Sequence, residues 1–414
     1  MQIQGIRKLL NIPDYKITQV ISCEEKEIHF QVEPYKRKAA ICSHCGERHY
    51  DRHSVDPVTV EDLSLAGKRV FLHVIKRKYS CPKDKRIHVE VVDWIKPWAR
   101  VTKRFANYVS KLTAITTNTE AGWFLGMDDE VVYRIDKAAL EEQAKLKLEP
   151  VPSGIHLSVD EVSYRKYHRY LTNVIDTDRK LIIWNAKGRK SEILDKYYQG
   201  IGAANCAKIE SVAMDGARTY ISSTTKYAIN ALIVYDKFHL YQKLNNTVDA
   251  VRKMELQKAR SEKGSTTLIE MLHCNQRFIL LKNKKNLSDK QSDLLKQLCE
   301  LNQPIYEAML LKESFLSMYA LDNKDIDVEE YLLEWMIQAY YSQIKPFKEL
   351  AAKLYDKFNY IINWFKQKIS SAISEGFNNK IKRLKRMAYG YKDIDYFRLK
   401  IHQHCGLLNP RLST

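Results

Sequence analysis

The order of strand-like and helix-like stretches between residues 155 and 235 constrains the fold of this chain more than any other feature. Three closely spaced strand-like segments come first, at 155–164, 170–176 and 180–186. They are followed by a helix-forming stretch at 191–199, a strand at 209–215, a second helical stretch and the apolar run 231–235. That last run is apolar on both faces, which is typical of a buried parallel strand.

A three-stranded antiparallel meander followed by a β-α-β unit is the strand order of the ribonuclease-H-like fold. The turn residues Asp176-Thr-Asp178 join the second and third strands of the meander. Pro150, Pro152 and Gly154 separate this region from the preceding sequence. We therefore predict that residues 151–245 form the first part of an α/β core.

The sequence from about residue 240 to 400 has an almost entirely helical pattern. It is too long for one crossover helix, so we predict a helical insertion at 246–365. Residues 366–414 then supply the final helix of the core and a C-terminal tail. The low content of Gly (14) and Pro (10) agrees with many long elements. The tryptophans Trp123, Trp335 and Trp364 are expected in apolar cores.

The first 150 residues have two different patterns. Residues 1–98 contain short runs of β-branched and aromatic residues, whereas residues 99–150 have helical spacing and good helix formers. The predicted fold class is a multidomain α+β protein. A small β, zinc-ribbon-like module and a helix-turn-helix precede the ribonuclease-H-like α/β core, which a helical insertion interrupts.

The charge of the chain favours a polyanionic partner. Lys and Arg number 68 against 50 Asp and Glu, a net charge of +18, which points first to nucleic acid and second to an anionic membrane surface. The chain contains no run of about 18 apolar residues, and MQIQGIRKLL lacks the features of a signal peptide. The eight cysteines are dispersed, which excludes a secreted disulfide scaffold. We therefore expect a cytoplasmic protein with no membrane partner.

Two aspartates stand at the ends of strands that the predicted order makes neighbours. Asp160 lies near the end of the first strand, and Asp215 ends the fourth, in Met214-Asp-Gly216. Such a pair could share Mg²⁺, or Mn²⁺, which prefers oxygen ligands. Two ions about 4 Å apart would hold the attacking and leaving oxygens of a phosphodiester. Either aspartate alone is more typical of an ordinary strand end, so the prediction depends on the combination.

A third acid, Glu375, begins a basic amphipathic segment. Glu375, Asn379, Lys382 and Arg386 share one helical stripe, and Ile373, Phe377, Ile381 and Leu384 share the opposite one. We predict Glu375 as the third metal ligand. The predicted DNA contacts of the segment are Asn379, Lys380, Lys382, Lys385 and Arg386. A helix of this kind is also typical of a solvated surface.

Asp236 and His239 follow the fifth strand and have two readings. They could be a helix N-cap with a histidine satisfied inside the protein. Alternatively, they lie near the metal cleft, where they support the metal ligands or position DNA.

The N-terminal module contains one incomplete metal motif. Cys42-Ser-His-Cys45 is followed by Cys81-Pro-Lys-Asp84, in which Asp84 stands where a zinc ribbon would have its fourth Cys. Candidates for the fourth ligand are His44, His49, His53 and His88. We predict one structural Zn²⁺ held by Cys42, Cys45, Cys81 and His88. The alternative is a knuckle that has lost its metal.

Residues 117–126 and 128–135 have the pattern of a helix-turn-helix. Thr119 or Asp128 is expected to cap a helix, and the second helix would offer Tyr133 and Arg134 to a DNA groove. Other helical hairpins have a similar pattern, but the basic charge and the adjacent cysteine motif favour DNA binding.

Taken together, these motifs resemble bacterial insertion-sequence transposases of the ISL3 type, which are DDE transposases. The resemblance rests on the Cys-x-x-Cys ribbon, the helix-turn-helix, Val159-Asp-Glu-Val-Ser-Tyr-Arg-Lys166, Met214-Asp-Gly216, Asp236-Lys-Phe-His239, Glu375-Gly-Phe-Asn-Asn-Lys-Ile-Lys382 and Ala388-Tyr-Gly-Tyr391. It covers nearly the whole chain, and the last two motifs are its most specific parts. The sequence departs from the family in the missing ribbon Cys and in Ser371, where Asn is expected.

The resemblance implies both activity and partners. Asp160, Asp215 and Glu375 would be the catalytic triad, with two Mg²⁺ or Mn²⁺ ions, and Asp236 and His239 match the Asp-x-x-His signature of several DDE families. The N-terminal half would read the terminal inverted repeats of the element. The protein would hydrolyse the phosphodiester at each end and transfer the freed 3′-hydroxyl to target DNA, as a dimer or higher assembly on the bacterial nucleoid. Two rivals are a catalytically silent DNA-binding regulator of the same fold and a structure-selective nuclease of the ribonuclease-H class.

Overall fold

The computed structural model describes residues 3–50, 52–96, 100–165, 169–262, 265–273, 277–319, 327–368 and 372–413. The chain divides into two compact units. The first contains residues 1–149 and 387–414, and the second contains residues 150–386. None of the described helices is both long and apolar enough to cross a membrane.

The N-terminal part of the first unit is a mostly antiparallel β-sheet. It follows helix α1 (Ile3–Leu10), and its strands are β1 (Tyr15–Cys23), β2 (Glu27–Pro34), β3 (Ala40–Cys42), β4 (Arg48–His49), β5 (Ser54–Leu65), β6 (Lys68–Ser80), β7 (Ile87–Val91), β8 (Ile95–Lys96) and β9 (Val101–Thr102). The order is β4-β3-β7-β6-β5-β9-β8, and β2 pairs with both β1 and β6. Alternate residues such as Phe30, Val32, Leu72 and Val74 are buried, so the period-2 pattern places one face of the sheet on the core.

Helices complete the first unit. They are α2 (Lys103–Thr113), α3 (Asn118–Leu125), α4 (Asp129–Lys147) and α17 (Ile394–Cys405). Thr117 and Glu120 form a capping box at the start of α3, and Gly126 ends that helix with φ of 65°. Asp128 caps α4 as predicted, since its side chain accepts from the backbone N–H of Glu130. Thr119 lies inside α3 instead of capping it.

The C-terminal segment belongs to the first unit, whereas the sequence pattern placed residues 366–414 together with the core. The reason is a buried polar network on α17. The hydroxyl of Tyr396 donates to Asp136 Oδ2 (2.6 Å), and Lys400 Nζ donates to the Thr113 carbonyl (2.7 Å) and lies 3.2 Å from Asp136 Oδ2. Residues 387–414 are therefore corrected to the N-terminal unit.

The second unit begins with the predicted meander and β-α-β unit. Its strands are β10 (His156–Arg165), β11 (Arg169–Asp176), β12 (Leu181–Lys187), β13 (Ser211–Met214) and β14 (Leu232–Tyr235), with helices α5 (Ser191–Ile201), α6 (Ala203–Cys206) and α7 (Arg218–Tyr227) between β12 and β14. The sheet order is β12-β11-β10-β13-β14. β10 is antiparallel to β11 and parallel to β13, which is parallel to β14.

A helical region follows β14. Its helices are α8 (Lys237–Ser261), α9 (Thr266–Leu272), α10 (Arg277–Leu281), α11 (Asp289–Leu301), α12 (Gln303–Met318), α13 (Val328–Tyr341), α14 (Lys345–Tyr355) and α15 (Phe358–Lys366). They share an apolar core around Phe315, Trp335 and Phe347. Helix α15 returns to the sheet, where Asn363 Nδ2 donates to the Ile233 carbonyl (2.9 Å). Trp335 is buried as expected, but Trp123 is 85% exposed.

Candidate active site and metal-ligand clusters

Three aspartates lie in or directly after three adjacent parallel strands: Asp160 is within β10, Asp215 follows β13 and Asp236 follows β14. The last β10–β13 pair is Ser158 with Ala213, and continuing this register by two residues would bring Asp160 level with Asp215. The β13–β14 register pairs Met214 with Tyr235, which makes Asp215 level with Asp236. Level residues of neighbouring strands share a face and are separated by about 4.8 Å. We call Asp160, Asp215 and Asp236 the carboxylate row.

Each carboxylate of the row is oriented by a nearby backbone N–H. Asp160 Oδ1 accepts from Glu161 N (2.7 Å), and Asp215 Oδ1 accepts from Ala217 N (2.9 Å). Asp236 is the N-cap of α8, as one of its two readings supposed, and accepts from Phe238 N (2.8 Å). These bonds fix the side chains before any ligand arrives.

The turn after Asp215 requires glycine. Gly216 has φ of +79°, and a Cβ built there would lie 2.6 Å from a ring carbon of Tyr235. Both observations exclude a side chain at this position without local rearrangement. The motif Met214-Asp-Gly216 thus combines a carboxylate with the only residue type that fits the turn behind it.

His239 connects the two ends of the carboxylate row. It lies in the first turn of α8, and its Nε2 is 3.8 Å from Asp160 Oδ1 and 3.9 Å from Asp236 Oδ2. Burial opposes protonation of His239, but the contacts with Asp160 and the negative charges of the row outweigh it, and the pKa of His239 is raised. The second reading of Asp236 and His239, a place beside the cleft, therefore agrees with their positions.

Helix α16 (Ala372–Met387) packs on the face of the sheet that carries Asp160. Ser374 Oγ lies 2.8 Å from Ser158 Oγ, and Asn378 Nδ2 donates to Asp160 Oδ2 (2.7 Å). Ile381 and Leu384 are buried, as the amphipathic pattern predicts. This side of α16 is held by the sheet, and the opposite side remains exposed.

Glu375 lies at the border of that contact. Its side chain is exposed. Among the residues that the structure describes, Asp160, Asp215 and Glu375 do not form a group with all ligand atoms within 4.8 Å of one another. Glu375 nevertheless follows Ser374 directly and precedes Asn378 by three residues, so both of its helical neighbours contact β10. Ser371 lies outside the described residues.

The predicted DNA contacts of α16 occupy its solvent side. Asn379, Lys380, Lys382 and Arg386 are exposed. Lys385 is half-buried, with Nζ 3.5 Å from the Ser163 carbonyl. The cations therefore begin at Lys380, five residues after Glu375, and extend along the helix for about two turns to Arg386.

Of the two residues predicted to enter a DNA groove, the structure leaves only Arg134 exposed. The hydroxyl of Tyr133 donates to Asp393 Oδ2 (2.7 Å), and its ring meets that of Tyr396 edge-on at 4.9 Å. Tyr133 is thus engaged in packing against the C-terminal segment, and its role as a groove contact stays a prediction.

Two residues beside the row did not stand out in the sequence. The sequence could have indicated Asn378, since it lies three residues after Glu375 on a helix and therefore on a neighbouring position of the same surface. Glu161 is the other: its Oε1 accepts from the Tyr220 hydroxyl (2.7 Å). Burial raises the pKa of Glu161, and the negative charge of Asp215 adds to this effect. Glu161 is therefore a further carboxyl group close enough to the carboxylate row to be affected by its negative charge.

Three cysteines and one histidine converge in the first unit. Ligand atoms of Cys42, Cys45, Cys81 and His49 all lie within 4.8 Å of one another, and Cys45 Sγ is 3.4 Å from His49 Nε2. The β3–β4 hairpin explains the position of His49, because it pairs Ala40 with His49. Three thiolates and one imidazole are a donor set that fits tetrahedral Zn²⁺.

His88, predicted as the fourth zinc ligand, lies elsewhere. Its Nε2 is 2.7 Å from Asp84 Oδ2, and with His44 these residues form a separate group. His49 therefore replaces His88 as the candidate fourth ligand. Sequence alone left several histidines open, because only the register of the hairpin selects one of them.

Comparisons with known proteins agree on one family. A family model described as a transposase of the DDE ISL3 type matches residues 157–401. A second model, described as the zinc-finger of transposase IS204/IS1001/IS1096/IS1165, matches residues 38–84. The two matched ranges contain the carboxylate row with α16 and the cysteine cluster, respectively.

Two curated relatives extend over most of the chain. The transposase for insertion sequence element IS1001 of Bordetella parapertussis is 30% identical over 366 residues, which is 88% of this chain and 88% of the relative. The transposase for insertion sequence element IS1557 of Mycobacterium tuberculosis is 25% identical over 422 aligned residues, 94% of this chain and 92% of the relative.

Proposed function

The chain belongs to the ISL3 family of DDE transposases, and on that premise we propose that it binds the terminal inverted repeats of an insertion sequence and cleaves and joins DNA at the carboxylate row. The observation that carries the proposal is the position of Asp160 within β10 and of Asp215 directly after β13, two residues beyond the last pair of these adjacent parallel strands. The sheet order β12-β11-β10-β13-β14 supports a ribonuclease-H-like core. In such a core, ligands bind at the carboxyl ends of the strands.

The proposed metal ligands are Asp160, Asp215 and Glu375. The donor set fits Mg²⁺ or Mn²⁺, since carboxylate oxygens are the ligands these ions prefer. When bound, two such ions would stabilise the charge that develops on the phosphodiester and favour attack by water or a 3′-hydroxyl. Because this chemistry needs no covalent enzyme intermediate, no Ser or Tyr nucleophile is required.

The remaining residues of the site position these ligands. Asn378 ties Asp160 Oδ2 to α16, while the backbone of Glu161 holds Oδ1. Asp160 is therefore held from two sides, and the same helix carries Glu375. His239 Nε2, which lies between Asp160 and Asp236, occupies the other side of the row.

The exposed side of α16 would track the DNA backbone. Lys380, Lys382, Lys385 and Arg386 would neutralise phosphates next to the cleaved bond. Each phosphate neutralised contributes a slope of about −0.9 to the dependence of log K on log salt, so four contacts would give a slope of roughly −3.6. Such binding is insensitive to base sequence, and selection of the ends must come from elsewhere.

The first unit is our candidate for reading the inverted repeats. The proposal is supported by helices α3 and α4, which a short turn at Gly126 joins, and by Arg134, which is exposed on the second helix. One Zn²⁺ held by Cys42, Cys45, Cys81 and His49 would fix the adjacent ribbon. Since two ends must be joined to one target, we expect a dimer or higher assembly on DNA.

The test is cleavage of a DNA fragment carrying one element end. We expect Asp160→Asn, Asp215→Asn and Glu375→Gln each to abolish Mg²⁺- or Mn²⁺-dependent strand cleavage while end binding persists. Asp293→Asn and Glu334→Gln, at exposed positions of the helical region, are matched controls and should cleave normally.

The outcomes separate the proposal from its rivals. Normal cleavage by any one of the three variants removes that residue from the triad. End binding without cleavage by the unmodified protein would indicate a silent regulator. Cleavage that ignores the inverted repeat and never joins strands would indicate a structure-selective nuclease.

A further inference from the structure

A second group of metal-ligand side chains lies in the ribbon beside the three cysteines. It consists of His44, Asp84 and His88, with one ligand atom of each within 4.8 Å of the other two. His44 stands between Cys42 and Cys45 in the chain, and Asp84 follows Cys81 by three residues. No residue is common to this group and to the cysteine cluster. We call His44, Asp84 and His88 the His-Asp-His group.

The side chains of the group are directed at one point. His88 Nε2 lies 2.7 Å and His44 Nε2 lies 3.5 Å from the same oxygen, Asp84 Oδ2. The two imidazole rings are stacked, with centroids 4.9 Å apart and planes 10° from parallel. The same ring nitrogen of both histidines therefore approaches the carboxylate from one side.

The carboxylate is held in place by the backbone. Asp84 Oδ1 accepts from Arg86 N (3.0 Å), which leaves Oδ2 for the histidines. A ligand whose other atom is bonded to the protein keeps its orientation, and this is the usual support of metal ligands in proteins. In zinc ribbons a fourth Cys would stand at this point, and here the carboxylate faces the histidines instead.

We propose that the His-Asp-His group binds a second Zn²⁺, separate from the ion of the cysteine cluster. Two imidazoles and one carboxylate form a Zn²⁺ donor set that leaves the fourth position of the tetrahedron open. With metal–ligand distances of about 2.0–2.2 Å, the ligand atoms of one tetrahedral ion are roughly 3.3–3.6 Å apart. The His44–Asp84 distance of 3.5 Å already fits, and the His88–Asp84 hydrogen bond would open by less than 1 Å.

The open position is accessible from solvent. The side chain of His44 is 48% exposed, whereas those of Asp84 and His88 are 22% and 23% exposed. The ion would thus be held from the protein side and would offer its fourth position to water or to an anionic oxygen. This differs from the cysteine cluster, where Cys42 and Cys81 are buried and four side chains complete the tetrahedron.

The test counts metal ions in the full-length protein. All proteins in this test carry Asp160→Asn and Asp215→Asn, so that the proposed Mg²⁺ ligands do not add to the count, and the protein with no further change serves as the unmodified protein. After removal of metal and reconstitution with Zn²⁺, we expect two Zn²⁺ per chain in it by elemental analysis. His44→Ala/His88→Ala should retain one, and Asp84→Ala should also retain one. His53→Ala, an exposed histidine of the same module outside both groups, should retain two.

Titration with Co²⁺ distinguishes the two sites independently of activity. Thiolate-to-cobalt absorption arises only at the cysteine cluster, so it should saturate at one ion in the unmodified protein and in all three variants. A second ion should add weaker bands without thiolate character, and only in the unmodified protein and His53→Ala. One ion per chain in the unmodified protein would overturn the proposal and leave a hydrogen bond between His88 and Asp84. Loss of thiolate absorption from both ribbon variants would also overturn it, since the groups would then form one site.

Discussion

Replacement of Asn378 by alanine would test whether α16 positions a catalytic ligand. The bond from Asn378 Nδ2 to Asp160 Oδ2 is 2.7 Å long, and the Asp160 side chain is only 12% exposed. Hydrogen bonds to charged groups are worth about 1.5–3 kcal/mol. If that energy serves to hold Asp160 in its ligand orientation, its loss lowers the rate of cleavage by roughly 10- to 150-fold, at about 1.4 kcal/mol for each factor of ten.

The assay is single-turnover cleavage of an end-bearing DNA fragment over a range of Mn²⁺ concentrations. A positioning role predicts that Asn378→Ala needs more Mn²⁺ for half-maximal cleavage, because Asp160 must first be reoriented. Asn378→Asp should need still more Mn²⁺ than Asn378→Ala, since a second negative charge would face Asp160 at the position of the lost hydrogen bond. Asn230→Ala, which removes an exposed amide from the same unit, is the matched control.

Thermal unfolding of the same variants separates positioning from folding. If Asn378→Ala loses activity only in proportion to its unfolded fraction, with an unchanged Mn²⁺ requirement, the reasoning is refuted. Unaffected cleavage by Asn378→Ala would refute it as well, because Asp160 would then be held sufficiently by the backbone of Glu161.

Three further predictions concern the turn, the helical region and the ribbon. Gly216→Ala should lower the free energy of unfolding by about 1–2 kcal/mol or more, because φ is +79° and the new Cβ meets Tyr235. Gly376→Ala should raise it by up to about 1 kcal/mol, because Gly376 is helical and, among the described residues, no atom outside its own helix lies within 4 Å of the new Cβ. Equal shifts of the two variants in thermal unfolding would contradict this. Burial lowers the pKa of Lys312 to about 8 from its ordinary 10.5. Below pH 8 the protonated form of Lys312 therefore destabilises the folded state. The free energy of unfolding, relative to that of Lys312→Met, should rise by about 3 kcal/mol as pH increases from 8 to 10.5, and urea unfolding at these two pH values measures it. A difference that does not change with pH would refute the assignment. His49→Ala should weaken the ion with thiolate absorption in a Co²⁺ titration and His88→Ala should not, and the reverse result would restore His88 as its ligand.

Much of the second unit could be predicted from local patterns. All five strands from β10 to β14 lie within a few residues of the predicted segments, and Asp215 and Asp236 directly follow their strands as expected. Local alternation, turn residues and apolar runs determine these features, because each depends on neighbours only a few positions away. The stripe of Ile381 and Leu384 was predictable for the same reason.

Contacts between segments that are distant in the chain were harder to predict from the sequence. Glu375 and Asn378 share one helix, but Glu375 is exposed and Asn378 bonds to Asp160, 218 positions earlier in the chain. Which of the two side chains contacts β10 depends on how α16 is rotated against that strand. Trp123 has the pattern of a core residue, yet none of the described residues buries it. In each case the sequence predicted the chemistry of the side chain, but it did not predict which face of the helix another element would cover.

The amino-acid order by itself determined which segments become strands and helices, and it placed acids at strand ends and cysteines in tight knuckles, because those properties arise from short-range sterics and periodicity. The folded molecule alone decided the partners: His49 beside the cysteines, His88 with Asp84, Tyr133 on Asp393 and Asn378 on Asp160. Strand register and helix rotation fix such pairs, and both are set by the packing of the entire core, in which no single segment carries the information.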